Sequence, residues 1–233
     1  MVFGFRTGGT GTTASSVVAS ADDAEQGVGG RMQLTSHDLD IGQRAGKPVG
    51  LRFTGLEVPD GATVTGAYIE FEAKRSGRRP ADIQIAIEDT TDAATFGCGA
   101  DIRGRDWRDE TTVWAPEPWV KGETHRTADL AATIASLVGT DGLDADDALA
   151  FRFKGMDERT AWSFDGEGAA ARLVIEFESG TPDPPSPVEG ASYTQEAADV
   201  MGLSAMGLEA DSFRFLDTAQ DGSIAGLDDY LLG

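Results

Sequence analysis

Residues 49–72 constrain the fold more than any other part of the chain. Leu51 and Phe53 alternate with Arg52 and Thr54, and Ile69 and Phe71 alternate with Glu70 and Glu72. A two-residue period sends every second side chain to one face, which is the pattern of strands half buried against a core. Between the runs stands Pro59-Asp60-Gly61. Proline presets φ there, and glycine accepts the positive φ that other residues resist. Strand, tight turn, strand is the grammar of an antiparallel sheet.

The same alternation recurs at Ile83, Ile85 and Ile87, at Leu149, Phe151 and Phe153, and at Leu173, Ile175 and Phe177. Strands are expected over residues 16–20, 31–34, 49–53, 63–73, 81–88, 113–114, 148–153 and 170–178. About eight strands with loops of unequal length predict an all-β sandwich, jelly-roll-like rather than a regular barrel. One short helix interrupts them: Leu130, Ile134, Leu137 and Val138 share a helical face, Thr127 or Asp129 can cap it, and Gly139 ends it. Residues 1–15 are rich in Gly and Thr and are expected to form a flexible N-terminal arm, with the sandwich module spanning 16–180. Pro182, Pro184, Pro185 and Pro187 make 181–187 a semi-rigid extended linker. Residues 188–233 are acidic, with Arg214 their only base, and are expected to form a small helix-loop-helix segment.

Forty acidic residues against 19 basic ones give a net charge of −21, which argues against nucleic acid or an anionic membrane as partner. No apolar run approaches the roughly 18 residues needed to cross a bilayer, so membrane insertion is not expected. Such a surface suits either divalent cations or saline surroundings. The single cysteine, Cys98, excludes an intrachain disulfide. Catalysis by its thiol would need a histidine partner, and His37 and His125 sit in no recognisable motif. The N-terminal residues lack a basic stretch followed by an apolar core, so a signal peptide is not expected within this chain; export would use a leader removed from it or a non-standard route.

Several segments keep the order found in secreted bacterial modules. They are residues 20–25 (SADDAE), 36–40 (SHDLD), 49–53 (VGLRF), 59–64 (PDGATV) and 67–71 (AYIEF). Thr112-Val113-Trp114, Asp129-Leu130 and residues 161–166 (AWSFDG) follow. Over residues 16–178 the chain resembles DNRLRE-type and carbohydrate-binding jelly-roll modules of extracellular multidomain proteins. The resemblance implies a β-sandwich at the cell surface or outside the cell, used for attachment rather than catalysis. One departure is the basic turn Lys74-Arg75-Ser76-Gly77-Arg78-Arg79, where such modules are usually acidic.

Three groups of residues carry candidate chemistry. Residues 217–228 match a degenerate EF-hand loop, in which oxygens at positions 1, 3, 5, 7, 9 and 12 surround calcium and glycine stands at 6. Asp217 takes position 1, Asp221 position 5, Gly222 position 6, the Ser223 carbonyl position 7 and Asp228 position 12. Ala219 supplies no ligand at position 3, so weak, millimolar calcium affinity is expected. A second candidate metal group is Asp22, Asp23, Glu25, Asp38, Asp40 and Asp165, since clustered carboxylates repel unless a cation neutralises them. Trp107 and Trp119, in polar and Pro-rich loops, are candidate stacking platforms for a sugar ring. Glu88, Asp89, Glu110 and Glu117 could supply a glycosidase acid and base, though nothing in the sequence singles out a pair. The expected function is a non-catalytic, calcium-binding extracellular module that attaches to polysaccharide or another protein surface. The alternatives are a self-assembling filament or surface-layer subunit and a fragment of a polysaccharide-active enzyme.

Overall fold

The computed structural model describes residues 9–42, 47–99 and 101–179. The expected linker at 181–187 and the tail carrying Asp217, Asp221, Ser223 and Asp228 lie outside them. In chain order the elements are β1 (Thr10–Ser16), β2 (Asp23–Gln26), β3 (Met32–Gln33), β4 (Asp38–Ile41), β5 (Val49–Thr54), β6 (Thr63–Glu72) and β7 (Asp82–Ile87). Then come α1 (Asp101–Gly104), β8 (Thr112–Trp114), β9 (Thr124–Arg126), α2 (Ala131–Val138), β10 (Ala148–Met156), β11 (Arg159–Trp162) and β12 (Arg172–Glu178).

The strands form an all-β sandwich. One sheet has the order β1-β12-β6-β9 and the other β3-β2-β5-β10-β7-β8, with every pairing antiparallel. A separate two-stranded ribbon pairs β11 with β4. The alternation seen in the sequence is what closes the core. Ile69 and Phe71 of β6 and Leu173 and Ile175 of β12 face Leu51 and Phe53 of β5, Ile83 and Ile85 of β7, and Phe151 and Phe153 of β10, all fully buried. Phe53 and Phe151 meet edge to face at 6.0 Å, as do Phe71 and Phe153 at 5.8 Å. Such pairs add about 0.5–1.5 kcal/mol beyond the area they bury. The turn before β6 is as expected: Gly61 has φ +70°, and the Ala62 N–H donates to the Pro59 carbonyl.

Three expectations are corrected here. The flexible arm assigned to 1–15 is, from Thr10, an edge strand paired with β12 along its whole length. The strand expected at 16–20 ends at Ser16; the chain turns, and β2 begins at Asp23. The four short strands β2, β4, β9 and β11 were not anticipated, because they are brief and mostly polar. The helix stands as expected in position, with Ile134 and Val138 buried, but its start is not a standard cap. The Asp129 carboxylate accepts both the Ala131 N–H (2.9 Å) and the Ala67 N–H (3.0 Å), and the Thr127 hydroxyl oxygen accepts the Ile69 N–H. These residues bind the helix entrance to β6 rather than serve the helix alone.

The six-stranded sheet is covered on its outer face as well. Ala24, Ala86 and Ala150 are small, and Gly50 has no side chain, so the chain over residues 93–107 can lie on the strands. Phe96, Ile102 and Trp107 from that stretch form a second apolar cluster with them. A Cβ on Gly50 would fall 2.5 Å from the Phe96 ring, so this close approach requires glycine.

Candidate functional site

The ribbon of β4 and β11 organises the polar chemistry. Leu39 and Ile41 of β4 are buried, which turns Asp38 and Asp40 to the opposite side. Glu25 of β2, Gln33 of β3, Ser36, Asp38, Asp40 and Lys47 wall a cleft of about 190 Å3. Hydrogen bonds fix its carboxylates. Glu25 Oε1 accepts the Asp40 N–H at 2.8 Å, and the Thr160 hydroxyl donates to Asp40 Oδ1 at 3.1 Å. Asp38 Oδ2 accepts Lys74 Nζ at 3.0 Å and Arg75 Nη2 at 3.3 Å, while the Ser36 hydroxyl reaches Oδ1.

These surroundings separate the three acids electrostatically. Desolvation raises the Glu25 carboxyl, the Asp40 N–H opposes it, and the charges of Asp40 and Asp38 add to the rise. Asp40 is raised by desolvation and by Glu158, against the Thr160 hydrogen bond. Asp38 is partly desolvated too, but Lys74, Ser36 and Arg75 outweigh that and hold it below the usual carboxylate range.

The other three carboxylates of the expected metal group lie apart from this cleft's walls. Asp22 is buried and ion-paired with Arg52 at 2.8 Å, and Arg52 Nε also donates to the Ala93 carbonyl. Asp23 is buried and accepts the Phe164 N–H at 2.7 Å. Desolvation pushes its carboxyl up to about 7, opposed by that N–H and aided by Asp165, Asp22 and Glu25. Asp165 takes the Ser20 hydroxyl on Oδ1, and its Oδ2 is buried with no hydrogen-bond partner.

Calcium wants six to eight oxygens converging on one point. Here Asp22 is paired with Arg52, Asp38 with Lys74 and Arg75, and Asp40 with Thr160, while Glu25 and Asp23 accept main-chain N–H groups. Among the described residues no group of three or more His, Cys, Asp or Glu is placed to hold a metal ion. Asp22, Asp23, Glu25, Asp38, Asp40 and Asp165 therefore form no such group in this structure.

The aromatic platform is corrected as well. Trp119 is 1% exposed, stacked on His125 at 5.0 Å and packed against Phe71 and Trp114. Trp107 is 9% exposed, donates its indole N–H to the Ile102 carbonyl, and has the Arg152 guanidinium over its ring. Neither offers a face to a sugar. Of the acids weighed for hydrolysis, Glu88 is bound to Arg105 at 2.9 Å and Asp89 to Arg108 at 3.3 Å. Cys98 is exposed, and His125 accepts the Val120 N–H. Among the described residues no helix is long and apolar enough to cross a membrane.

Sequence reasoning missed Gln33, Ser36 and Lys47 as cleft residues and Thr160 as the partner of Asp40. Only the His37 neighbourhood, SHDLD, carried a signal, and the partners come from distant strands.

No family model and no curated protein matches this chain. Among solved structures it is similar to the CBM22-1-GH10 modules of Clostridium thermocellum endo-1,4-β-D-xylanase 10B in complex with xylohexaose, at 10% identity and a TM-score of 0.26. The match covers 77% of this chain and 30% of that one.

Proposed function

We propose that this chain is a non-catalytic binding module that seats a polysaccharide in the cleft between β2, β3 and β4. The observation that carries the reading is the preorganised set of acceptors and donors in that cleft. Glu25 and Asp40 are held by their own hydrogen bonds, Asp38 is held by Lys74 and Arg75, and Gln33, Ser36 and Lys47 stand beside them. Sugar hydroxyls both donate and accept, so they suit a wall that mixes carboxylates, an amide, a hydroxyl and an ammonium. The same fixed pairing argues against turnover, because Asp38 is charged and clamped rather than free to exchange a proton. Any calcium requirement falls, on this reading, to residues 217–228.

A glycan array followed by calorimetry on the retained oligosaccharide tests it. Gln33→Ala and Lys47→Ala remove cleft partners without touching the core. Each lost hydrogen bond weakens binding by about 1 kcal/mol, so the double variant loses on the order of tenfold or more in affinity. Retention of no glycan, or equal binding by the double variant, refutes the assignment.

A further inference from the structure

A second cleft, of about 480 Å3, lies where the loop after β6 meets the turn between β10 and β11. Its walls are residues 76–79 together with Asp157, Glu158 and Arg159. In a chain of net charge −21 this is an unusual place: three arginines against two carboxylates, with Arg75 adjoining.

Arg159 is the residue that makes it a site. It is 2% exposed, and β11 holds it opposite Ile41. Its Nη2 donates to the Arg79 carbonyl at 2.7 Å and the Pro116 carbonyl at 3.2 Å, and Nη1 reaches the Glu158 carbonyl at 3.4 Å. Its Nε is buried and has no acceptor. Burial depresses the tendency of this guanidinium to hold its proton, with the Asp157 charge opposing. A buried donor left unmade is costly and calls for a partner.

Gly77 is the backbone neighbour of that donor and offers it no acceptor. Gly77 is locked in place by reciprocal hydrogen bonds with Trp119, at 3.0 and 2.7 Å. A Cβ on Gly77 would sit 3.4 Å from Arg159 Cδ, 3.5 Å from Nη1 and 3.7 Å from Nε. Those are ordinary contact distances, so a methyl group would fit there and cap the edge of the guanidinium. Arg78 and Arg79 are exposed beside it, with Arg79 Nη1 3.9 Å from Asp157 Oδ1.

We propose that this cleft binds the oxyanion of an organic ligand, a carboxylate or sulfate group that accepts the Arg159 Nε–H and is neutralised by Arg78 and Arg79. Asp157 and Glu158 leave the walls a surplus of one positive charge, which suits a monoanion better than a polyphosphate. The site is separate from the polysaccharide cleft in place and in chemistry, so either assignment can fail without the other.

The test titrates the full chain by calorimetry with sodium galacturonate, with inorganic sulfate and with neutral galactose, at constant ionic strength. Galacturonate is expected to bind with a dissociation constant near about 1 mM, and galactose not to saturate. Gly77→Ala should weaken galacturonate roughly tenfold, as should the double variant Arg78→Gln with Arg79→Gln, both with unchanged melting temperature. Gln33→Ala should leave galacturonate binding as it was. Arg159→Met removes the donor but also a buried residue, so Gly77→Ala carries the decision. Wild-type affinity in Gly77→Ala, equal binding of galactose, or no binding of either anion overturns the proposal. Binding of sulfate with exclusion of galacturonate overturns the organic carrier in favour of the free ion.

Discussion

Replacing Asp23 by Asn should stabilise the protein above neutral pH and have little effect in acid. In the folded chain the Asp23 carboxyl is pushed up to about 7 from an ordinary 3.8. Burial is the main cause, with the Asp165, Asp22 and Glu25 charges adding to it. The folded state therefore binds more protons than the unfolded state between about pH 4 and 7, and stability falls as pH rises through that window. Three units at 1.36 kcal/mol each set an upper bound of about 4 kcal/mol, fully lost above pH 7. For a domain of this size that corresponds to a melting-temperature change on the order of 10 °C. Asparagine keeps the acceptor for the Phe164 N–H and adds an amide donor next to Asp165, whose buried Oδ2 has no partner. Glu25 and Asp40 are raised in the same sense, so the wild-type slope belongs to all three acids. The difference between wild type and variant isolates Asp23. Thermal melting of both at pH 4, 6 and 8 should show Asp23→Asn gaining at pH 8 and nearly matching wild type at pH 4. A difference that is constant across that range refutes the reasoning.

Gly50→Ala should cost about 1–3 kcal/mol, because its methyl would enter the space of Phe96; an unchanged denaturation midpoint would show that the outer cluster yields freely. Asp22→Ala leaves the partly buried Arg52 charge without its carboxylate and should destabilise by about 1–3 kcal/mol in urea unfolding. Calcium, if it binds through residues 217–228, should do so near about 1 mM and be lost in Asp217→Ala but not in Asp22→Ala; calorimetry with the metal alone checks this.

The sandwich was legible wherever one face of a strand meets the core and the other meets water. Residues 63–72, 83–87, 149–153 and 173–177 all announce themselves by period two. β1 did not, since its small and hydroxyl residues (TGTTASS) carry no apolar stripe and its pairing comes from β12, some 160 residues away. Trp107 was misjudged for a related reason. What buries it is the smallness of Ala24, Gly50, Ala86 and Ala150 on four different strands, a property no local window contains. The carboxylates were recognisable as a group, but their fate depended on Arg52, Lys74, Arg75 and Thr160. The basic run 74–79 was visible too; Arg159, the residue that gives it a donor, stands 80 positions beyond Arg79.

The doubly covered sheet divides the molecule into two regimes of motion. β5 and β10 lie at the middle of that layer, with apolar packing above and below, so their amide protons should be the last to exchange with solvent. The β1-β12-β6-β9 sheet keeps a polar outer side, with Glu70 held between Arg126 and Arg172, and its amide protons should exchange earlier. Among the described residues, a partner that needs a broad, compliant surface therefore has one side of this slab to approach and not two.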